Sequence, residues 1–177
     1  MTNFKIFKYA NPAKFLDLCK KTFIYLVFLT IVFLFYGLYQ GFFNSPEDYQ
    51  QGNLVRIMYV HVPSAWLSLS CYAFIGLLSV INFLFKNKNF YLVNKSLAPL
   101  GLMFTIIAIV TGSLWGQPTW GTWWTWDARL TLMLVLAFFY FFIILTDKLI
   151  LNFELSNKLA SLVAIIGLIN LPLIKFS

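Results

Sequence analysis

Residues 22–43 read TFIYLVFLTIVFLFYGLYQGFF, a run of 22 residues without Asp, Glu, Lys or Arg. At a helical rise of about 1.5 Å per residue, about 20 apolar residues cross a hydrocarbon core of about 30 Å. Four further stretches have the same character, at residues 62–85, 97–115, 129–146 and 159–174. The sequence therefore predicts an all-α integral membrane protein with five transmembrane helices.

The composition agrees with this fold class. The chain is 60% hydrophobic and only 11% charged, so its apolar surface requires lipid as a solvent. Only short polar segments separate the apolar stretches, and we predict a single polytopic membrane domain over residues 1–177 whose first partner is the lipid bilayer. A net charge of +7 without a basic water-soluble face gives no indication of a nucleic-acid partner.

The basic residues predict the orientation, because Lys and Arg accumulate in cytoplasmic loops. With the N-terminus in the cytoplasm, ten basic residues lie inside and three lie outside. The inner set is Lys5, Lys8, Lys14, Lys20, Lys21, Lys86, Lys88, Lys95, Lys148 and Lys158, and the outer set is Arg56, Arg129 and Lys175. The first span is too long for a cleaved signal peptide and is interpreted as an uncleaved anchor.

A Trp-rich loop at residues 115–128 is the most unusual feature of the outer face. Residues 115–130, WGQPTWGTWWTWDARL, contain five of the six tryptophans. We interpret Pro118 as the start of a short helix, which would place three indoles on one face with two beside them: Trp120, Trp123 and Trp124, flanked by Trp115 and Trp126. Gly116 and Gly121 would allow a planar ligand or another backbone to approach.

Two interpretations of this loop compete. Tryptophan is common at the lipid headgroup level, where it anchors helices. Indole rings also form a platform on which a flat π system can stack. Five indoles interleaved with Gly and Thr in one loop favour the platform, because anchoring belts distribute aromatic residues around the rim.

Three charged residues accompany the loop. Asp127 is well placed as the N-cap of the fourth span, where a carboxylate meets the positive end of the helix dipole. Arg129 and Arg56 allow two interpretations each, since a guanidinium at a membrane boundary extends toward water and is also the preferred partner of a ligand carboxylate.

His61 is the only histidine and lies two residues before Pro63, at the predicted outer start of the second span. A single histidine is more often a structural residue than a ligand. Imidazole is, however, a common axial ligand of haem iron, and this residue shares the outer face with the indoles and both arginines. An iron ligand, an aromatic platform and cations for propionates are together what a haem surface site requires.

Two motifs resemble the cytochrome c maturation protein C family, also called the haem exporter protein C family, whose superfamily is defined by a Trp-rich WWD-type loop. They are YQQGNLVRIMYVHVPSAW, residues 49–66, and VTGSLWGQPTWGTWWTWDARLT, residues 110–131. The resemblance implies an inner-membrane protein, bacterial or mitochondrial, that holds haem b non-covalently as cargo at the periplasmic surface. It implies that His61 is an axial ligand and that the Trp-rich loop binds the haem.

The same resemblance implies two kinds of partner: a periplasmic haem chaperone, and the ATP-binding and membrane subunits of an ABC-type complex. Members of the family have six spans and two periplasmic histidines, whereas this chain has five predicted spans and one histidine, so it resembles a shortened member. The chain also lacks a C-x-x-C-H haem-attachment motif and a G-x-x-x-x-G-K-[ST] nucleotide motif.

We therefore expect a non-enzymatic protein that presents haem to a chaperone in cytochrome c biogenesis. The alternative is a haem-independent permease or assembly subunit. A permease should have ionisable residues or helix breaks near the middle of its spans. The candidate breaks at Gly76, Gly101 and Gly167 are interpreted instead as close helix packing.

Overall fold

The computed structural model describes residues 12–85 and 88–177, and the described residues form helices and no strand. The six α-helices are α1 (Pro12–Tyr39), α2 (Met58–Phe85), α3 (Lys88–Trp120), α4 (Ala128–Leu149), α5 (Phe153–Gly167) and α6 (Asn170–Phe176). A π-helical turn, Gln40–Asn44, follows α1, and a 3-10 helix, Asn53–Ile57, leads directly into α2.

Within residues 12–85 and 88–177, five segments are long and apolar enough to cross a membrane, which confirms the predicted fold class. They are Leu16–Asn44, Asn53–Phe85, Phe90–Trp120, Ala128–Leu149 and Phe153–Phe176. The fifth segment consists of α5 and α6 together, with a break after Gly167. Each segment is longer than the apolar stretch that predicted it.

The extra length replaces several predicted connections. The predicted loop at residues 86–96 is helical from Lys88 onward, and the predicted connection at residues 147–158 is reduced to residues 150–152. Helices continue here because polar side chains at helix ends do not interrupt the backbone ladder. Lys5, Lys8 and Lys86, which contribute to the predicted orientation, lie outside the described residues.

Helix α1 belongs to a compact unit that ends at Pro46, and residues Glu47–Ser177 form a second unit. The side chains of α1 are mostly exposed and apolar from Phe23 to Tyr36. Such a surface is stable in lipid and costly in water. The described residues of this unit therefore match a membrane-spanning helix with an apolar surface.

In the second unit, α2 packs against α3 and α5, and α4 packs against α3, α5 and α6. The centre of the bundle is formed by fully buried side chains: Tyr72, Ile75, Leu136 and Tyr140. The Tyr72 and Tyr140 rings meet edge to face, with centroids 5.0 Å apart. Because each hydroxyl donates to a backbone carbonyl of a neighbouring helix, Tyr140 to Ser68 and Tyr72 to Val163, the aromatic core also links the helices by hydrogen bonds.

Three glycines allow these helices to approach each other. A Cβ atom added at Gly76 would collide with Leu168, one at Gly101 with Tyr140, and one at Gly167 with Tyr72. The predicted role of these glycines in close packing is confirmed.

Polar side chains fill the end of the bundle where α2 ends and α3 begins. We call them the opposite-end network: Ser79, Asn82, Tyr91, Asn94, Lys95, Asp147, Ser156, Asn157 and Ser161. The Asn82 amide donates to Asn157 Oδ1 at 2.6 Å and to Ser161 Oγ at 3.1 Å, joining α2 to α5. Such bonds hold helices together in lipid, where the hydrophobic effect between helices is absent.

The tyrosine of this network, Tyr91, connects α3 to α4 and α5. The Tyr91 hydroxyl donates to Asp147 Oδ1 at 2.8 Å and lies 2.7 Å from Ser156 Oγ. The second carboxylate oxygen of Asp147 pairs with the Lys95 ammonium at 3.0 Å. The network thus connects α2, α3, α4 and α5 at the end of the bundle remote from the tryptophans.

Candidate functional site

The last turn of α3 carries the first residues of the predicted Trp-rich loop. Helix α3 continues through Pro118 and ends at Trp120. Gly121 then adopts φ +76°, and its N–H donates to the Gln117 carbonyl at 2.9 Å. This is the glycine-dependent αL cap that closes many helices.

The prediction of a short helix beginning at Pro118 is therefore wrong. Pro118 lacks an N–H and therefore removes one backbone hydrogen bond, but α3 continues for two residues beyond it. Trp120 ends α3, whereas Trp123 and Trp124 lie in the non-helical segment 121–127, so the three do not share a helical face. The loop proper is residues 121–127, shorter than the predicted 115–128.

The indoles contact each other in two pairs. Trp115 and Trp120 meet edge to face with centroids 5.3 Å apart, and Trp124 and Trp126 do so at 5.7 Å. Trp120, Trp123 and Trp126 nevertheless remain exposed, at 48%, 59% and 79%. Large aromatic surfaces outside a folded bundle are available to a ligand, a partner or the lipid headgroups.

The two glycines of this region have different surroundings. A Cβ atom added at Gly116 would lie 3.0 Å from Trp120 Cε3, so the missing side chain is what allows the Trp120 ring to lie on α3. An atom added at Gly121 would meet nothing within 4 Å, so the space beside it is open. Gly121 is required by its backbone conformation.

Trp124 differs from the exposed indoles. It is half-buried, and its Nε1 atom is buried without a hydrogen-bond acceptor among the described residues. A buried indole N–H normally has a partner, because leaving it unpaired costs about 1 to 3 kcal/mol. The site therefore contains a donor that an additional acceptor would stabilise.

Asp127 ends the loop and begins α4, as predicted. Its Oδ1 accepts the Leu130 N–H at 2.9 Å and its Oδ2 accepts the Thr125 hydroxyl at 2.8 Å. Desolvation acts to raise the pKa of Asp127, but these hydrogen bonds, with the N–H and charge of Arg129, outweigh it and hold that pKa below its usual value. The N-cap interpretation of Asp127 is confirmed.

The segment before α2 lies against the end of α3. Asp48 and Gly52 exchange backbone hydrogen bonds of 2.8 and 3.2 Å, which closes a tight turn with Gly52 at φ +56°. The Trp115 indole then donates to Gln51 Oε1 at 3.1 Å. Arg56, in the following 3-10 helix, is half-buried.

His61 lies in the first turns of α2, and its ring is hydrogen-bonded to α3. Nδ1 lies 3.0 Å from the Ala108 carbonyl oxygen and 3.1 Å from Thr111 Oγ1. Trp115, the first indole of the Trp-rich stretch, follows Thr111 by four residues on the same helix. His61 is therefore placed at the end of the bundle that carries the Trp-rich loop.

The bundle thus brings most of the predicted residues to one end. Trp115 donates to Gln51, just before the 3-10 helix that contains Arg56, and His61 bonds to α3 at Ala108 and Thr111. Among the described residues, no three His, Cys, Asp or Glu side chains come together as a metal site. Because His61 is the only histidine in the sequence, any iron held here would have a single imidazole from this chain.

The sequence interpretation missed the residues that hold the site residues in place. Gln51 bonds Trp115, while Ala108, Thr111 and Gly112 contact His61. Thr111 and Gly112 of VTGS, residues 110–113, lie in α3, four and three residues before Trp115. Such a Thr-Gly pair is a weak signal in a sequence, and no local pattern predicts its contact with a residue about 50 positions earlier.

Comparison with known proteins agrees with the motifs. The family model described as heme exporter protein C matches residues 5–177. The "Heme exporter protein C" of Bradyrhizobium diazoefficiens is 40% identical over 168 residues, which cover 95% of this chain and 64% of that protein. The protein of the same name from Escherichia coli is 41% identical over 168 residues, which cover 95% of this chain and 69% of that protein.

A plant relative extends the comparison. A ccmC-like mitochondrial protein of Marchantia polymorpha, named for cytochrome c biosynthesis, is 45% identical over 141 residues, which are 80% of this chain and 59% of that protein. The chain thus spans about two thirds of the length of these relatives or less. Five candidate spans, with bacterial and mitochondrial relatives, make it a multi-pass inner-membrane protein. The chain belongs to the haem exporter protein C family.

Proposed function

We propose that this chain holds haem at the Trp-rich end of its bundle and presents it for transfer in cytochrome c biogenesis. The haem is cargo, bound without a covalent link, and the chain acts as a carrier and not as an enzyme. The names of its relatives, which refer to heme export and to cytochrome c biosynthesis, support this class of function.

The observation that carries the proposal is the meeting of an imidazole, a guanidinium and exposed indoles at one end of the bundle. His61 is held through Nδ1 by α3, and Arg129 lies in the first turn of α4, directly after the Trp-rich loop. Trp123 and Trp126 lie in the loop that precedes Arg129 and are more than half exposed. A planar, anionic, iron-containing ligand matches these three groups.

Each group would have a separate task. The His61 imidazole would bind the iron, and the exposed indoles would stack on the porphyrin. Arg129 and Arg56 would pair with propionates, for which the guanidinium fork is well suited. The buried Trp124 N–H, which lacks an acceptor among the described residues, would gain one from a ligand oxygen.

We further propose that this end faces the periplasm, on the basis of the ten-to-three distribution of basic residues. A periplasmic haem chaperone would then receive the haem. Because the chain carries no nucleotide-binding motif, any ATP-driven step would belong to ATP-binding and membrane subunits of an associated ABC complex.

The decisive experiment is a haem titration of the detergent-purified chain, followed by gel filtration and visible absorption. We expect haem to co-elute with the wild-type protein, as shown by a Soret band in the protein fractions. This band should be absent in His61→Gly. As a matched control, the exposed Trp66→Ala variant of α2 should retain the band. A wild-type chain that elutes without haem after the titration would refute the proposal and favour the haem-independent assembly subunit.

The described spans give little support to that alternative. Buried polar side chains in the bundle bond to each other across helices, as Ser68 does with Thr105 at 2.6 Å and Asn94 with Ser79 at 2.8 Å. Gly76, Gly101 and Gly167 face large side chains of neighbouring helices. Both features are typical of helix packing.

A further inference from the structure

The hydrogen bonds of His61 determine which ring nitrogen carries the proton. The Ala108 carbonyl, 3.0 Å from Nδ1, can only accept. The Thr111 hydroxyl, 3.1 Å from Nδ1, directs its own proton to the Ile107 carbonyl at 2.6 Å, so it too can accept from the ring. Two acceptors at Nδ1 require an N–H there, and a neutral imidazole then has its lone pair on Nε2.

Gly112 makes this contact possible. A Cβ atom at position 112 would lie 3.1 Å from His61 Cε1 and 3.6 Å from Nδ1. Even a methyl group would therefore displace the ring by a few tenths of an ångström. The ring reaches the Ala108 carbonyl because α3 has no side chain at this position.

We propose that Thr111 and Gly112 are positioning residues that fix His61 with its proton on Nδ1 and with Nε2 available as a ligand atom. Metal-binding histidines commonly donate their second ring N–H to a carbonyl or another acceptor, which sets the tautomer and the orientation of the ring. That Nε2 meets haem iron rests on the proposed function; the tautomer does not.

The test uses the haem-free chain. Because the sequence contains one histidine, labelling with ¹⁵N-histidine gives a single pair of ring nitrogens. Solid-state NMR in lipid at about pH 8, where a histidine of ordinary pKa is neutral, reads the tautomer directly. We expect the protonated nitrogen to be Nδ1, opposite to the preference of free histidine in water.

Two substitutions should weaken this preference. Thr111→Val removes one of the two acceptors while preserving the shape, and we expect the tautomer ratio to fall roughly fivefold, the factor equivalent to one hydrogen bond. Thr111→Ser keeps the hydroxyl and should have the same tautomer ratio as the wild type. Gly112→Ala should shift the ratio in the same direction as Thr111→Val by moving the ring away from Ala108.

Matched controls come from α1. Thr30 donates to the Leu26 carbonyl at 2.7 Å, as Thr111 does to Ile107, and an added Cβ at Gly37 meets nothing within 4 Å. Thr30→Val and Gly37→Ala should leave the His61 resonances unchanged. A wild-type ring protonated on Nε2, or a ratio unmoved by both Thr111→Val and Gly112→Ala, would overturn the proposal, and the wild-type spectrum decides even if a variant does not fold.

A haem titration separates this proposal from the proposed function. If haem binds and its spectrum is the same in wild type and His61→Gly, His61 is not the iron ligand, yet the apo-protein tautomer still tests Thr111 and Gly112. If His61 binds iron but the apo ring is protonated on Nε2, the proposed function stands and the positioning role fails.

Discussion

The two ends of the bundle differ in whether their polar and aromatic side chains are buried or exposed. At the opposite-end network, Asn82, Asn94, Ser156 and Ser161 are buried, and their NH₂ and hydroxyl groups bond to neighbouring helices. The Oδ1 atoms of Asn82 and Asn94 have no partner among the described residues. At the other end, Trp120, Trp123, Trp126 and Arg129 are exposed. Buried groups that pair with each other stabilise the fold, whereas exposed groups of this size are available to a ligand.

The comparison predicts that changes at the Trp-rich end affect haem and that changes at the opposite end affect stability. The largest expected effect is that of His61→Gly. Removing the only imidazole should weaken haem retention about 100-fold or more, because even changes in the partners of a ligand cost 10- to 100-fold at metal centres. Electron paramagnetic resonance of the ferric form should lose its nitrogen-ligand signature, and added imidazole should restore it.

Two results would contradict this assignment of His61. One is a His61→Gly spectrum identical to that of the wild type. The other is a bis-imidazole signal from the wild-type chain without partner or added imidazole, since the sequence contains one histidine, unless two copies share one haem.

The second prediction concerns the exposed indoles. Trp123→Ala combined with Trp126→Ala should reduce haem retention roughly tenfold, because aromatic stacking contributes about 0.5 to 1.5 kcal/mol per ring beyond area burial. The measurement is the Soret absorbance per protein after gel filtration. Trp66→Ala, which removes an indole that is 68% exposed on α2, is the matched control. If the Trp66→Ala variant loses as much haem as the double variant, the tryptophans of the loop are better explained as membrane anchors than as a haem-binding surface.

The third prediction addresses the opposite-end network. Tyr91→Phe removes the hydroxyl between Asp147 and Ser156 and should lower the free energy of unfolding by about 1 to 3 kcal/mol. Thermal unfolding in detergent measures this change, with the exposed Tyr25→Phe of α1 as control. Haem retention per folded molecule should equal that of the wild type. A stable variant that loses haem would contradict the division of roles between the two ends.

The smallest expected effect is at Asp127, whose carboxylate caps α4. Because its pKa is lowered in the folded state, its contribution is present above the unfolded pKa of an aspartate and is lost as pH falls through the lower folded value. Asp127→Ala should destabilise by about 1 kcal/mol near neutral pH, while Asp127→Asn, also a good cap, should cost less.

A pH series of unfolding temperatures checks this prediction. As pH falls through the acidic range, the stability difference between wild type and Asp127→Ala should shrink. A difference that stays constant down to the lowest pH at which the chain folds would show that the charge of Asp127 is not involved.

The sequence predicted the membrane spans well because a span requires only a long apolar run, which is a local property. It predicted the end of α3 poorly. Gly, Gln, Pro and Thr at residues 116–119 resemble a loop, but the helix continues until Gly121 adopts a positive φ. A helix end is decided by the competition between an existing backbone ladder and its cap, and composition alone does not resolve it.

The candidate site was predictable as a set of residues and not as an arrangement. Asp127 as a cap follows from its position before an apolar run. The contacts of His61 with Ala108 and Thr111 join residues 47 and 50 positions apart, and no periodicity connects them. The same applies to the opposite-end network, whose Asn82 and Asn157 are separated by 75 positions.

These long separations have a consequence for biosynthesis. Asn82 bonds to Asn157, which is 75 residues later in the chain, and Tyr72 bonds to the Val163 carbonyl, which is 91 residues later. At translation rates of about 5 to 20 residues per second, α2 leaves the ribosome roughly 4 to 18 s before α5 can accept these bonds. During that interval the Asn82 amide and the Tyr72 hydroxyl lack their native partners, so α2 is synthesised well before the bonds that hold it to α5 can form.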